Sequence, residues 1–335
     1  MPELVAAASF LNAMELTMKL TEQFEQFFNS TDITLLTDSI ELITHAQRHR
    51  INARLISELE KMPINSVCIT LSRAGTESLL KCAAAGNSGR AIYTQAHAFD
   101  PTLKSVIYTL EQMCVTDYQL AMRQQEQLLL LLDKNEPLIL TGPNTLGYLV
   151  IAKDVAPYAM IEEDVQAAHD SFIFPLAELL EVHYTHMDPD APRPFNLNGT
   201  FRVAGILLAR GYHDSSIPAQ LITSLTALSN LVALHHATAI IEDNLVQSFT
   251  VAGRDYCTLL NEATGPRGLH LTECAFGVNA SIAATIDYRI NSQLNEGIEG
   301  MHVAVGDGRR GYHIDLLMPG VAAAPAPETN HLRMP

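Results

Sequence analysis

Four side chains of the metal-ligand type lie close together in the last part of the chain. Glu273 comes first, His302 follows, and His313 and Asp315 share the stretch Gly311-Tyr-His-Ile-Asp-Leu-Leu-Met318. In a strand, residues i and i+2 point to the same face, so His313 and Asp315 would present an imidazole and a carboxylate side by side. Asp315 lies in an apolar run, where a buried carboxylate is costly unless it is paired, hydrogen-bonded or bound to a metal. This pattern predicts half of a metal site.

A purely structural interpretation of the same pair stays open. In that interpretation Arg309 or Arg310 neutralises Asp315, and His313 is a structural histidine. A short His-x-Asp motif is weak evidence by itself, so the neighbouring segments have to decide.

A second acidic segment, Phe174-Pro-Leu-Ala-Glu-Leu-Leu-Glu-Val-His-Tyr184, contains Glu178 and Glu181. On a helix these two carboxylates would share a face, where they could lie beside a divalent cation. An exposed acidic face is the alternative. The histidines around this segment add potential bases or ligands: His169, His183 and His186.

Glu273 follows His270 and lies between the apolar residues Leu271 and Phe276. Gly277 and Asn279 indicate a tight bend of the backbone directly after it, and chemistry beside a bend is plausible. The alternative is a glutamate on the polar face of an edge strand.

Composition indicates a folded protein and excludes some partners. The 335 residues are 47% hydrophobic and 17% charged, which favours two domains of ordinary size over a disordered chain. The net charge of −16 includes no basic cluster, so nucleic acid is not expected as a partner. No apolar run reaches the roughly 18 residues of a membrane span. The five cysteines are odd in number and form no Cys-x-x-Cys pair, which fits a cytoplasmic protein.

The patterns along the chain predict an α/β fold with an N-terminal α/β domain followed by a β-rich α+β domain that carries the metal site. Residues 14–62 are predicted to be mostly helical, and strands and helices alternate up to about residue 132. From residue 137 onward, short β-type runs are separated by Gly, Pro, Asn and Asp. The expected domains are 1–140 and 141–318, and the Ala- and Pro-rich residues 319–335 are expected to form a disordered tail.

Two glycine-rich segments are predicted to be turns. Gly306-Asp-Gly-Arg-Arg-Gly311 matches the spacing of a dinucleotide fingerprint, but strand-like residues follow it where a helix is required. Gly142-Pro-Asn-Thr-Leu-Gly147 lacks the Lys and Ser/Thr of a phosphate-binding loop.

From about Leu138 to Pro319 the order of the segments resembles the aminopeptidase T family of metallo-aminopeptidases and the related 2,5-dihydroxypyridine dioxygenases. The segments that carry the resemblance are Asn198-Gly-Thr-Phe201, Ile241-Glu-Asp-Asn-Leu245, Glu273-Cys-Ala-Phe-Gly-Val-Asn279, Met301-His-Val-Ala-Val-Gly306 and His313-Ile-Asp315. The last four of these segments are similar, in that order, to the motifs IENGRI, EFGIGTN, HIALG and HxD of the aminopeptidases. The loop between His302 and His313 is much shorter here.

The resemblance to the aminopeptidases implies two divalent cations, with Glu273 as a bridging ligand and His302, His313 and Asp315 as further ligands. Another ligand comes from a PxxEV segment, in which Glu181 keeps the Glu-Val pair and Glu178 keeps the spacing from the proline. Glu296 is similar to the catalytic glutamate. The dioxygenases have a histidine where this chain has Glu273, so the ligand set is closer to that of the hydrolases.

Three functions stay open from the sequence. The first is an amide hydrolase that resembles aminopeptidase T, in which Glu296 or Glu178 shuttles the proton and the cofactor is one or two ions of Zn, Mn, Co or Fe. The second is a mononuclear Fe(II) ring-cleaving dioxygenase built on His302, His313 and Asp315. The third is a metal-free peptide-binding protein on the same fold. The expected partners are a peptide or small-molecule substrate and, from the resemblance, a second copy in a homodimer.

Overall fold

The computed structural model describes residues 22–25, 28–84, 89–134, 136–160, 172–210 and 217–327. The helices, numbered along the chain, are α1 (Ile40–Arg48), α2 (Arg73–Ala84), α3 (Leu103–Val115), α4 (Tyr118–Leu132), α5 (Ala219–His235) and α6 (Cys257–Thr264). The strands are β1 (Thr34–Thr37), β2 (Ala53–Leu55), β3 (Asn65–Thr70), β4 (Arg90–Gln95), β5 (Leu138–Gly142), β6 (Thr145–Ile151), β7 (Phe172–Pro175), β8 (Glu181–Thr185), β9 (Phe195–Val203), β10 (Gly205–Arg210), β11 (Ala237–Glu242), β12 (Leu245–Val251), β13 (Arg254–Asp255), β14 (Leu271–Gly277), β15 (Gly300–Val305), β16 (Tyr312–Pro319) and β17 (Ala322–Pro325).

A parallel sheet with the order β2-β1-β3-β4-β7 forms the N-terminal layer. Its helices begin at capping side chains that accept a hydrogen bond from the first turn. Ser39 Oγ accepts from the Leu42 amide at the start of α1, and Asp117 Oδ1 accepts from the Leu120 amide at the start of α4. This layer confirms the predicted α/β class.

Two antiparallel sheets form the rest of the fold. One has the order β10-β16-β15-β14-β8, and the other has the order β13-β12-β11-β9-β6-β5-β17. The largest hydrophobic core lies between them and α5, and contains residues such as Phe201, Leu225, Phe276 and Val303. The β-type runs predicted beyond residue 137 all fall within these strands or β7, so those predictions are confirmed.

The parallel sheet also takes in a strand from the later part of the chain. β7 pairs with β4, with Phe174 opposite Ile92. The residues of β7 lie beyond the expected domain boundary near residue 140. Val278 and Leu294 enter the core of the N-terminal layer as well. The two halves of the chain are therefore packed against each other across a shared core.

The prediction of a mostly helical segment over residues 14–62 is wrong in its described part. β1 and β2 both lie within it, and α1 covers only Ile40–Arg48. All four residues of β1 are buried, because a strand inside a parallel sheet is covered on both faces. Such a strand lacks the alternation that distinguishes it from a helix. Residues 14–21 lie outside the described residues.

The chain is also ordered beyond residue 319, where a disordered tail was expected. β17 pairs antiparallel with β5, with Ala323 opposite Leu140. Residues 328–335 lie outside the described part. The two glycine-rich segments are turns as predicted, since one joins β15 to β16 and the other joins β5 to β6. No helix in the described ranges is long and apolar enough to cross a membrane.

Candidate metal centre

Four adjacent strands of one antiparallel sheet bring the predicted ligands together. β16, β15, β14 and β8 are neighbours in that order, and they carry the ligand residues on the same face. The residues are Asp315 and His313 on β16, His302 on β15, Glu273 on β14, and Glu181 and His183 on β8. The adjacent strands place residues from distant parts of the sequence about 5 Å apart.

Glu273 lies in the middle of this group. Its Oε1 atom is 3.5 Å from His302 Nε2, and its Oε2 atom is 3.5 Å from His313 Nε2. Oε1 is also 3.9 Å from His183 Nδ1. One carboxylate therefore faces a different imidazole with each of its two oxygens.

Glu181 extends the group toward β8. Its Oε2 atom lies 3.5 Å from His302 Nε2, and its Oε1 atom lies 3.2 Å from His183 Nδ1. One ligand atom from each of Glu181, Glu273 and His302 lies within 4.8 Å of the other two, a spacing that a metal ion can span. Glu178, Glu181 and His183 meet the same condition, so Glu181 belongs to both groups.

His313 is oriented as a ligand would be. Its Nδ1 lies 2.9 Å from the carbonyl oxygen of Gly306, to which it donates in the matching tautomer. Nε2 lies 3.1 Å from Asp315 Oδ1, to which the protonated ring donates a hydrogen bond, and a bound cation would take the place of that proton. A backbone carbonyl on one ring nitrogen is a common way to fix the tautomer of a metal-binding histidine.

The charges of the cluster act on one another. Burial raises the pKa of the Glu273 carboxyl, but His302, His313 and His183 outweigh that effect and bring the pKa down to about 2. Burial lowers the pKa of His313, but Asp315 and Glu273 raise it to about 10. Burial also lowers the pKa of His183, and the neighbouring glutamates raise it to about 9. In the protein without a cation, protons on the imidazoles balance the carboxylates.

Glu178 lies at the rim of the cluster. Its side chain is 22% exposed, and its Oε2 atom is 4.0 Å from His183 Nε2. Burial raises the pKa of Glu178 to about 7, with the charges of Glu181 and Glu273 adding to the effect and His183 opposing it. Glu178 is the member of the cluster from which a proton reaches solvent most directly.

Glu296 is buried in a short 3₁₀ helix, Gln293–Gly297. Burial raises its pKa well above the ordinary value, and the charges of Asp315, Glu181 and Glu273 raise it further. The neighbouring residue Asn295 fixes this segment, because its side chain accepts a hydrogen bond from Tyr108 Oη of α3 at 2.7 Å.

Gln125 of α4 holds the segment that carries the other two glutamates. Its Nε2 donates to the backbone carbonyls of Glu178 and Glu181, at 3.2 and 3.0 Å. Glu178 lies in a single 3₁₀ turn, Ala177–Leu179, and Glu181 begins β8. The expectation that both glutamates share a helix face is therefore wrong, and they reach one cluster from a turn and a strand.

The structure brings all the predicted site residues into this region: Glu178, Glu181, Glu273, Glu296, His302, His313 and Asp315. It does not pair Asp315 with Arg309 or Arg310, which are exposed in the hairpin loop. The sequence pattern gave no signal for Gln125, since a glutamine in a polar stretch of a helix is ordinary. His183 was considered only as a flanking histidine.

The donor set fits a divalent cation. Among the described residues, none of the ion pairs of the cluster includes a lysine or an arginine. Buried oxygens are left without a hydrogen-bond partner on Glu178 (Oε2), Glu181 (Oε2) and Asp315 (Oδ2). Such atoms are costly unless a cation or a donor satisfies them, and mixed imidazole and carboxylate ligands suit Zn, Mn, Co or Fe.

A family model described as crocagin biosynthetic protein CgnE/B matches residues 30–326. No curated protein matches the chain. Among solved structures, wild-type AmpT from Thermus thermophilus is similar with a TM-score of 0.44 and 14% identity, covering 91% of this chain and 92% of that chain. The 2,5-dihydroxypyridine dioxygenase from Pseudomonas putida KT2440 is similar with a TM-score of 0.45 and 10% identity, covering 94% of each chain.

Proposed function

The chain belongs to the crocagin biosynthetic protein CgnE/B family, and from that premise we propose that it is a metal-dependent amide hydrolase of a biosynthetic pathway. The observation that carries the proposal is the buried cluster itself. It collects the carboxylates of five residues against three imidazoles, with no lysine or arginine in its ion pairs within the described residues. Once the imidazoles give up their protons to act as ligands, divalent cations would be needed to compensate the carboxylates.

Glu273 is proposed to be the bridging ligand between two cations. Its Oε1 atom faces His302, and these two residues together with Glu181 would hold one cation. Its Oε2 atom faces His313, which lies beside Asp315 and would hold the other. In this assignment one oxygen of Glu273 would serve the cation beside His302 and the other would serve the cation beside His313.

A divalent cation bound there would lower the pKa of a water molecule toward neutrality and polarise an amide carbonyl. The residues of the chain would supply proton transfer. Glu178 suits this role because it lies at the rim and its pKa of about 7 lets it accept and release a proton near neutral pH. Glu296 is the second candidate, because it is buried beside the same ligands and holds its proton strongly.

His183 is proposed to position Glu181. It lies 3.2 Å from Glu181 Oε1, which leaves Oε2 pointing toward His302. A partner of this kind orients a ligating carboxylate, and its loss typically reduces metal affinity or activity about 10–100-fold.

One arrangement favours a second candidate function. His302, His313 and Asp315 are two imidazoles and one carboxylate on the adjacent strands β15 and β16. This is the ligand set of mononuclear Fe(II) oxygenases, which leave positions open for O₂ and substrate. In that case Glu273 and Glu181 would surround the iron without bridging two ions.

The experiment that tests the proposal measures the metal content of protein purified without a chelator, together with hydrolysis of a panel of peptides and aminoacyl anilides. Two cations per chain with hydrolysis that stops on addition of a chelator is the expected result. One iron per chain with O₂ uptake on a dihydroxylated aromatic would favour the dioxygenase. A chain that binds no metal and still binds peptides would refute both enzymes and leave the peptide-binding alternative.

A further inference from the structure

A cavity of about 190 Å³ lies where the loop after β8 meets the beginning of β14. Its lining includes two arginines and two histidines, and no carboxylate: His186, Pro189, Arg193, Asn244, Arg267, His270 and Leu271. The whole chain has 37 acidic and 21 basic residues. Because acidic residues outnumber basic ones in the chain, a cavity lined by basic side chains and no carboxylate is not expected from composition alone.

Arg267 is the residue that points to a ligand. It is partly buried, and its Nη2 donates a hydrogen bond of 2.6 Å to the carbonyl oxygen of His186. Its Nε is enclosed and has no acceptor. Within the described part of the chain, no aspartate or glutamate forms an ion pair with it. A partly buried guanidinium with an unused donor is costly, and an anion would satisfy both its charge and its hydrogen bond.

Arg193 and His186 of the same cavity already have partners. Arg193 Nη1 is 3.0 Å from Asp243 Oδ2, so its charge is shared with an exposed carboxylate at the rim. Asp243 Oδ1 also accepts a hydrogen bond from Asn196. His186 is held through Nε2, 3.1 Å from the carbonyl oxygen of Ala191. Arg267 is therefore the least compensated charge of the cavity.

We infer that this cavity binds a small oxyanion, the carboxylate or phosphate group of a ligand, with Arg267 as the principal contact and Arg193 as the second. The planar guanidinium offers parallel donors that match two oxygens of either group. The volume corresponds to roughly six water molecules, enough for the anionic group and a few attached atoms. Neither arginine belongs to the metal cluster, so the inference does not rest on the proposed function.

The test titrates the full-length chain with sodium phosphate, sodium acetate and sodium chloride at equal ionic strength, and follows heat and thermal stability. Arg267→Gln is the principal variant, since glutamine removes the guanidinium charge and keeps a polar side chain. Arg289→Gln is the matched control, because Arg289 is exposed and already bound to Asp287 through two contacts of 2.8 Å. Circular dichroism checks that each variant is folded.

We expect phosphate or acetate to bind the wild type, and Arg267→Gln to weaken that binding about 10–100-fold, as expected for hydrogen bonds to a charged group. Arg289→Gln should leave it unchanged. Preference for phosphate or for acetate identifies which oxyanion the site takes. If Arg267→Gln binds the anion as strongly as the wild type does, the inference is wrong. Phosphate bound to a metal ion would give that result. If Arg267→Gln does not fold, Arg193→Gln replaces it, together with the NMR signals of the His270 ring in the wild type. Weaker binding by Arg193→Gln and a shift of the His270 signals on addition of phosphate would support the inference, and the absence of both would contradict it.

Discussion

The substitution Glu273→Gln removes one charge from the centre of the cluster at almost constant volume. The wild-type carboxylate is within 3.5 Å of His302 Nε2 through one oxygen and of His313 Nε2 through the other. A glutamine can offer only one oxygen, and that oxygen is neutral. The variant should therefore lose one of the two cations and bind the other more weakly.

The size of the effect follows from the ligand it removes. Loss of an outer partner costs about 10–100-fold in metal affinity, so loss of a direct ligand should cost at least about 100-fold. At a cation concentration about 1,000 times the wild-type Kd, each of the two cations stabilises the wild type by about 4 kcal/mol, whereas the one cation left in the variant stabilises it by only about 1.4 kcal/mol. An unfolding entropy of roughly 0.7 kcal/mol/K for 335 residues converts these values to Tm increases of about 12 °C for the wild type and about 2 °C for the variant.

Metal analysis and thermal unfolding with and without added cation measure this difference directly. Glu262→Gln is the control, because Glu262 is exposed on α6 and outside the cluster. The control should keep the wild-type metal content and the full Tm increase. The bridging assignment is wrong if Glu273→Gln also keeps two cations and the full increase. A wild type that binds a single iron would move Glu273 out of the ligand set and favour the oxygenase.

Three further predictions concern the same cluster. His313→Ala and Asp315→Ala should each abolish metal binding, as measured by metal analysis, because each removes a proposed ligand; wild-type occupancy in either would place the site elsewhere. Cys274→Ser should leave metal content and activity nearly unchanged, because Cys274 packs into the core on the opposite face of β14 from Glu273; loss of metal in a folded variant would make Cys274 a ligand. Cation binding should release about two protons near pH 7, because the neighbouring carboxylates raise the pKa of both proposed imidazole ligands, that of His313 to about 10 and that of His302 above its ordinary value. Metal affinity should therefore rise with pH up to the pKa values of these imidazoles. Calorimetry in buffers of different ionisation enthalpy would measure the number of protons released. A metal affinity independent of pH would contradict the prediction.

The placement of His313 and Asp315 side by side on β16 could be predicted from the sequence because alternation along a strand is a local property. His313 and Asp315 are two residues apart, and the apolar residues between and after them required a buried strand. The hairpin loop before them was predicted for the same reason, from glycines followed by strand-like residues. The expectation that Glu273 and His302 join His313 and Asp315 came only from the resemblance, and the sheet order that brings them together was not predicted.

The acidic segment before β8 could not be predicted in the same way. Glu178 and Glu181 have the spacing of a helix face, but the 3₁₀ turn ends before Glu181 and the strand begins there. What places the two carboxylates together is Gln125, about fifty residues earlier, which binds both of their backbone carbonyls. A hydrogen bond between distant segments leaves no trace in local periodicity.

The buried face of a strand could not always be predicted from the sequence. In β6 the buried positions are Thr145, Gly147, Leu149 and Ile151, and the positions between them are exposed although they are the apolar residues Leu146, Tyr148 and Val150. Hydrophobic alternation is absent from such a strand, so its buried face has to be learned from the packing. The sequence predicted a β-type run only over the end of this strand, Leu149-Val-Ile151, and a turn before it.

The metal cluster and the largest core use opposite faces of the same sheet. Val182, Cys274, Val303 and Ile314 point into the core from β8, β14, β15 and β16, while their neighbours in the sequence point into the cluster. Burying several like-charged groups side by side costs stability, and the packing of the other face of these strands into the largest hydrophobic core offsets this cost. A local conflict of this kind within an otherwise consistent scaffold is expected at functional or strained sites.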